Sequence, residues 1–378
     1  MRMRNVGAVA VVLLASVAGL AQQPKVSHAQ MSTRGGENLQ REIGAAQAAT
    51  WLGYTVPATH WVNSGWGDNV LHLEGDDQQI VSEPDQSANV PPAMILLRVT
   101  AGKVDRVLIE QTDREVDAGG LPFVWLTGVS PADSVKTLKS VVEASIAEEA
   151  KASAEKAAPV VTTDRERARI ERDVQRAPER ELHRVTDRGM TAIALTNVPE
   201  ASAALKEFTA VSYPLTVRDK AAFWLANERG SEGFRTDAAL LKGDKDDAFR
   251  EKLVFDLTLV KGESRGAAID ALIAAAKTDS AQKVRSQAQF WLAQMAVKKG
   301  DPKITRALND SAKDDPEVAI RKSAVFAISR LPEDQAVPEL IQVASTSKDS
   351  TTRKEAIFWL GRSKDPRALE FLEKVVRQ

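Results

Sequence analysis

Five segments of this chain align without gaps, and that repeat constrains the fold more than any composition does. Each unit must bury its apolar face against the next copy. The segments are VRDKAAFWLA (217–226), FREKLVFDLT (249–258), VRSQAQFWLA (284–293), IRKSAVFAIS (320–329) and TRKEAIFWLG (352–361). Each has an arginine second, at Arg218, Arg250, Arg285, Arg321 and Arg353, spaced 32, 35, 36 and 32 residues apart. Five residues beyond each arginine is a phenylalanine: Phe223, Phe255, Phe290, Phe326 and Phe358. Seven beyond is Leu225, Leu257, Leu292, Ile328 or Leu360. A degenerate copy, Arg188 with Ile193 and Leu195, opens the array.

Between the segments lie second helices with their own apolar phase, over 267–277, 302–313 and 334–345, anchored on Leu272, Leu308 and Leu340. Pro302, Pro316 and Pro366 each follow an aspartate, which predicts a cap and a first-turn proline. The unit is a helix, a turn and a helix, about 34 residues long.

Asp279 with Val284 and Arg285, and Asp315 with Ile320 and Arg321, resemble the Asp…Val-Arg signature of HEAT repeats, the PBS-lyase HEAT-like kind. Asp244, Phe249 and Arg250 follow the same spacing with a bulkier middle residue. Ser212 and Ser347 stand in the aspartate position of the repeats at Arg218 and Arg353, leaving the ladder incomplete there. The resemblance implies that Asp244, Arg250, Asp279, Arg285, Asp315 and Arg321 form an inter-repeat hydrogen-bonded ladder. It covers roughly residues 183–378 and specifies a scaffold rather than an activity.

On a 100° wheel with the arginine at zero, positions −1, +3, +7 and +10 form one apolar arc, the core. Position +1 is polar throughout (Asp219, Glu251, Ser286, Lys322, Lys354) and points the other way, together with the phenylalanines at +5. In a HEAT solenoid this helix lines the concave surface. The five phenylalanines then run in file along a groove that fits an extended protein segment. The alternative is that tight curvature wedges each ring between neighbouring helices. Trp224, Trp291 and Trp359 sit nearer the core arc and read as packing.

The N-terminal half has another texture. Arg2 and Arg4 precede an apolar run from Val6 to Leu20, which reads as a Sec-type signal peptide over 1–30, cleaved after Ala21 or Ala29. That run is shorter than the roughly 20 residues that span a bilayer. Residues 51–56, 94–100, 104–109 and 121–126 are β-like, the middle two joined by a tight turn, after a helix over 37–49. A helix over 131–147 follows, then a charged, alanine-rich stretch. The expected chain is therefore multi-domain: a signal peptide (1–30), a small β-rich α+β domain (31–130), a helix and charged linker (131–182), and an all-α HEAT-repeat solenoid (183–378) of five helix pairs plus the degenerate first one. WLGYTVP and VDAGGLPFVWLTGVSPADSVKTL are similar to exported bacterial HEAT-repeat proteins of no assigned activity. Those carry cysteines in the 57–93 loop, and this chain has none.

No disulfide, thiolate metal site or lipid-modified cysteine is available to a chain without cysteine. Residues 31–128 carry 6 basic and 13 acidic side chains, and residues 183–378 carry 32 and 28, which disfavours nucleic acid as a partner. Only His183 lies near the solenoid, so the paired His-Glu motifs of iron-binding HEAT-like hydroxylases are lacking. One polar cluster, His60, Asp68, His72, Glu74, Asp76 and Asp77, gives an alternative: a metal-dependent hydrolase. Trp61 and Trp66 beside it give another, a glycan-binding loop. The reading that fits most residues needs no cofactor and no catalytic residue. It is a periplasmic or secreted scaffold, not membrane-spanning once its signal is removed, that binds a protein or peptide segment of the cell envelope.

Overall fold

The computed structural model describes residues 23–63, 70–75, 81–82, 90–156, 185–298 and 300–377. The signal-like residues 1–22, Trp66, Asp68, Asp76, Asp77 and the charged stretch 157–184 with His183 lie outside the described residues.

The strands are β1 (Val26–Ser27), β2 (Met31–Gly35), β3 (Thr50–Val56), β4 (Val62–Asn63), β5 (Val70–His72), β6 (Val81–Ser82), β7 (Ala93–Thr100), β8 (Lys103–Gln111), β9 (Glu115–Asp117) and β10 (Phe123–Thr127). Helix α1 is Leu39–Ala45. Five strands form one mixed sheet in the order β2-β10-β3-β7-β8, and β1-β9-β5 form a second, parallel one. The β7–β8 hairpin turns on Ala101 and Gly102, both at positive φ, as a two-residue turn compatible with strand twist requires. Alternation along β3 and β7 divides the side chains between two cores. Leu52, Tyr54, Ile95 and Leu97 face helices, whereas Trp51, Met94 and Leu96 face the parallel sheet. Burial on both faces explains why Met94 to Leu97 is unbroken apolar sequence. Gly53 makes room within this sheet: a Cβ there would stand 2.8 Å from the Phe123 ring.

Helix α2 (Pro131–Lys156) begins where its apolar spacing predicts and runs past residue 147 into the stretch expected as charged linker. Its stripe, Val135, Leu138 and Val142, is buried in the core that also contains the sheet face and the first solenoid helices. Tyr54 Oη lies 2.9 Å from Ser134 Oγ, and the amide of Leu39 donates to Asp133 at 2.9 Å. Helix α3 (Val185–Leu195) packs along α2, and Gly189 permits the approach, since a Cβ there would meet Val142 Cγ2 at 2.6 Å. The pair α2/α3 thus opens the stack. Residues 57–59 strap onto its end: the Thr59 amide donates to Leu195 O at 2.9 Å, and the Asn197 amide to Pro57 O at 2.7 Å. The expected boundary between a β domain and a solenoid is therefore a shared core. The β structure also begins upstream of residue 31, because β1 pairs with β9 in the parallel sheet.

The remaining helices are α4 (Pro199–Phe208), α5 (Leu215–Glu228), α6 (Gly230–Gly243), α7 (Asp247–Asp256), α8 (Arg265–Thr278), α9 (Gln282–Ala296), α10 (Pro302–Asp314), α11 (Val318–Ile328), α12 (Glu333–Thr346), α13 (Ser350–Leu360) and α14 (Pro366–Val376). They pair as α4/α5, α6/α7, α8/α9, α10/α11 and α12/α13, with α14 packed on the last pair. The arginine-bearing helices α5, α7, α9, α11 and α13 stack on one another as one layer. Asp301 and Asp365 cap helices that begin with proline. Asp315 does otherwise: it closes α10, and α11 starts two residues after Pro316.

Arginines bind the layers. Arg250 donates both Nε and Nη2 to Asp279 at 2.9 Å, and Nη1 back to Asp244 O at 2.8 Å. Arg285 reaches Asp315 at 3.1 Å and Asp279 O at 2.8 Å. Arg218 pairs with Asp244, and Arg321 reaches Asp315 O at 2.6 Å and Asp349 at 3.5 Å. Asp244, Asp279 and Asp315 also accept the amide two residues on, which fixes the turn (Asp279 from Ala281 at 2.8 Å; Asp315 from Glu317 at 2.9 Å). Burial alone would raise the Asp279 pKa, but Arg250 and the Ala281 amide outweigh it and hold it below 3.8.

Removing one partner of such a buried pair strands the other. Arg285→Ala is expected to lower stability in urea by about 3–5 kcal/mol. Arg353→Ala, which gives up only bonds to the Ser347 and Lys348 carbonyls, should cost about 1 kcal/mol. Equal losses would contradict this account of the ladder.

Candidate functional site

The phenylalanines at +5 share one face of the arginine-bearing layer, at different depths. Phe223, Phe290 and Phe326 are half-buried, while Phe255 and Phe358 are 37% and 53% exposed. None stands alone, because the tryptophan at +6 turns toward the preceding helix and closes the gap between layers. Trp291 contacts Phe255 of the preceding pair at 4.9 Å and Phe290 of its own at 5.2 Å between ring centroids. Trp359 stands likewise between Phe326 and Phe358, at 5.3 and 5.1 Å. Within a helix the two rings meet edge to face, and across the seam they are tilted, all within the range of favourable aromatic pairs. Trp224, against Phe223 at 5.1 Å, is the one buried in the core. Trp291 and Trp359 are half-buried seam residues of the phenylalanine face.

The +6 position is Trp224, Asp256, Trp291, Ala327 and Trp359 in successive repeats. At Asp256 the aromatic file opens into a recess of about 600 Å³ walled by Phe223, Phe255 and Trp291. Its polar lining includes Asp219, Glu251, Lys252 and Asp256. Asp256 is 1% exposed, and its Oδ2 makes no hydrogen bond among the described residues. Nearby on α6, Asp237 is 0% exposed, and neither carboxylate oxygen has a hydrogen-bond partner among the described residues. Burial, with the Asp256 charge adding to it, pushes the Asp237 carboxyl well above 3.8. Asp256 is raised by burial and by Asp219, against the opposing pull of Lys252. Sequence reasoning passes over both acids. The legible signal is an aspartate where three of five repeats have tryptophan.

Of the N-terminal polar cluster, His60, His72 and Glu74 lie among the described residues, and each is engaged with a different partner. His60 is buried against α5, with Nδ1 2.9 Å from Glu228 Oε2, an oxygen that also accepts the Thr59 hydroxyl at 2.8 Å. His72 Nδ1 lies 3.1 Å from Asp117 Oδ2, and His28 Nδ1 approaches the same oxygen at 3.1 Å. Glu74 accepts from Trp51 Nε1 at 2.8 Å and from Arg98 at 2.7 Å. Among the described residues no group of three or more His, Asp or Glu is arranged to hold a metal ion. Trp61 is an exposed ring beside the strap.

Helix pairs stacked by an Asp–Arg ladder are the geometry against which the family comparison stands. Residues 305–378 match the family model of HEAT repeats. The matched HEAT segment takes in most of α10 and all of α11 to α14. The same arginine-to-phenylalanine register runs upstream of it to Arg218. No curated protein matches the sequence. Among solved structures, human deoxyhypusine hydroxylase in complex with glycerol aligns at 14% identity over 50% of this chain and 83% of its own. The TM-score is 0.24, too low to say more about this chain. HEAT repeats generally mediate protein–protein interaction and are generally non-enzymatic.

The buried acids have a measurable consequence. A carboxyl whose folded pKa is raised favours the folded state when protonated, and that contribution fades as pH climbs above 3.8 toward the raised value. The charged groups around Asp237 are Asp256 and, through it, Asp219 and Lys252. Asp237→Asn should be near neutral at pH 4 and stabilising by about 1–3 kcal/mol at pH 8, read from paired denaturation curves. A difference that does not change with pH would refute the assignment.

Proposed function

We propose that this chain is a non-enzymatic scaffold or adaptor of the cell envelope that holds a protein segment along the phenylalanine face of its HEAT repeats. The observation that carries the reading is the file itself: five successive pairs each contribute a ring to one face, and Phe255 and Phe358 are exposed beyond what packing needs. Inner helices about 8–10 Å apart give the file a length on the order of 40 Å. An extended segment of roughly 12 residues would follow it. Surface apolar strips of this kind mark interaction sites. Among the described residues no helix is long and apolar enough to cross a membrane.

Export is part of the proposal, supported by the basic start and the apolar run from Val6 to Leu20. Of the two cleavage positions, Ala21 fits the fold better. Cutting after Ala29 would remove Val26 and Ser27, which pair with Val116 and Asp117.

An unbiased peptide library selected on the full chain tests the groove. Selected peptides should lose affinity at least tenfold with Phe255→Ser plus Phe358→Ser while the helical circular dichroism is unchanged. Peptides indifferent to both substitutions would sink the reading.

A further inference from the structure

The repeat supplies its own template for what fits between two phenylalanine layers. In two places it is a flat ring about 5 Å from the phenylalanine on either side, Trp291 between Phe255 and Phe290 and Trp359 between Phe326 and Phe358. Between Phe223 and Phe255 the equivalent residue is Asp256, so the layer offers two ring walls and a carboxyl at its base. We infer that this recess takes the guanidinium of an arginine carried by the segment held on the phenylalanine face. The inference deepens the groove reading and rests on it.

Charge selects the occupant. Asp187, Asp219, Glu251 and Asp256 line the recess against Lys220 and Lys252. Both lysines are engaged, Lys220 with Asp187 at 3.8 Å and Lys252 with Asp219 at 3.7 Å. Glu251 remains as the acidic excess, and a guanidinium placed beside Asp256 favours the ionised form that burial otherwise disfavours. Asp256 is almost wholly buried, with Oδ2 unpaired, a costly state that a cationic donor relieves. A guanidinium also matches the shape: it is planar like the indole of the neighbouring layers, stacks on aromatic faces and forks onto carboxylates. An ammonium is compact and holds its water more strongly. The chain already uses this combination internally, since Arg218 lies 3.9 Å over the Phe249 ring while paired to Asp244.

The test titrates N-acetylarginine N-methylamide into the full chain and follows the indole resonance of Trp291, identified among the seven tryptophans by Trp291→Phe. A saturable shift is expected from the arginine probe, and none from its neutral citrulline analogue. Asp256→Asn should weaken binding at least tenfold. Asp256→Trp should abolish it, and should raise the melting temperature by completing the aromatic file. Equal responses to arginine and citrulline, or unaltered binding by Asp256→Asn with an intact fold, would overturn the inference. A lysine analogue binding as tightly would overturn the guanidinium assignment. If library peptides require Phe255 and Phe358 while Asp256→Asn changes nothing, the groove stands and the recess falls. If the probe discriminates but those peptides ignore the phenylalanines, the recess stands and the groove falls.

Discussion

The arginine that reaches both backward and forward sets the register on which everything else in the stack depends. Arg250 and Arg285 each hold a carbonyl of their own turn and an aspartate of the next, while that aspartate clamps the next turn through an amide. Buried ion pairs are poor sources of net stability but strict sources of geometry, because a slipped pair leaves a charge uncompensated. Aligned arginines put the +5 and +6 residues of successive helices opposite one another. The phenylalanine file, the tryptophan seams and the recess at Asp256 are consequences of that alignment.

The other determinant lies at the N-terminal end. A stack of helix pairs has an apolar end that must be covered, and here the mixed sheet and α2 cover it in one continuous core. The strap at residues 57–59 and Arg229, which donates to the carbonyls of Ile193, Ala194 and Thr196, tie off the exposed end of α3. The sheet is thus joined to the first pair and holds the beginning of the stack in place.

Much of this architecture is legible in the residues. The repeat specifies the helix pairs, and β-branched and aromatic runs mark β3, β7, β8 and β10 within a residue or two. The ladder is legible as Asp and Arg at fixed spacing, down to Asp244–Arg250, although Asp349 enters it by geometry alone, two residues after Ser347. What escapes local reading depends on distant partners. The apolar stripe of α2 is legible but its partner is not, because α3 follows the long charged stretch. His60 looks like part of a loop cluster because Glu228, 168 residues further along the chain, is invisible from there. The tryptophans read as core because a wheel describes one helix, not the neighbour that turns a flank into a seam.

The single fixed register in which consecutive arginine-bearing helices meet is open to direct chemical measurement in a chain with no cysteine of its own. Ser286 Oγ and Ser323 Oγ lie 2.8 Å apart between α9 and α11. Mild oxidation of the Ser286→Cys, Ser323→Cys variant should form the intramolecular disulfide almost completely. The variant displaced by one position, Ser286→Cys with Lys322→Cys, should stay largely reduced. Comparable oxidation of the two variants would show that the layers slide, and the aligned face would lose its physical basis.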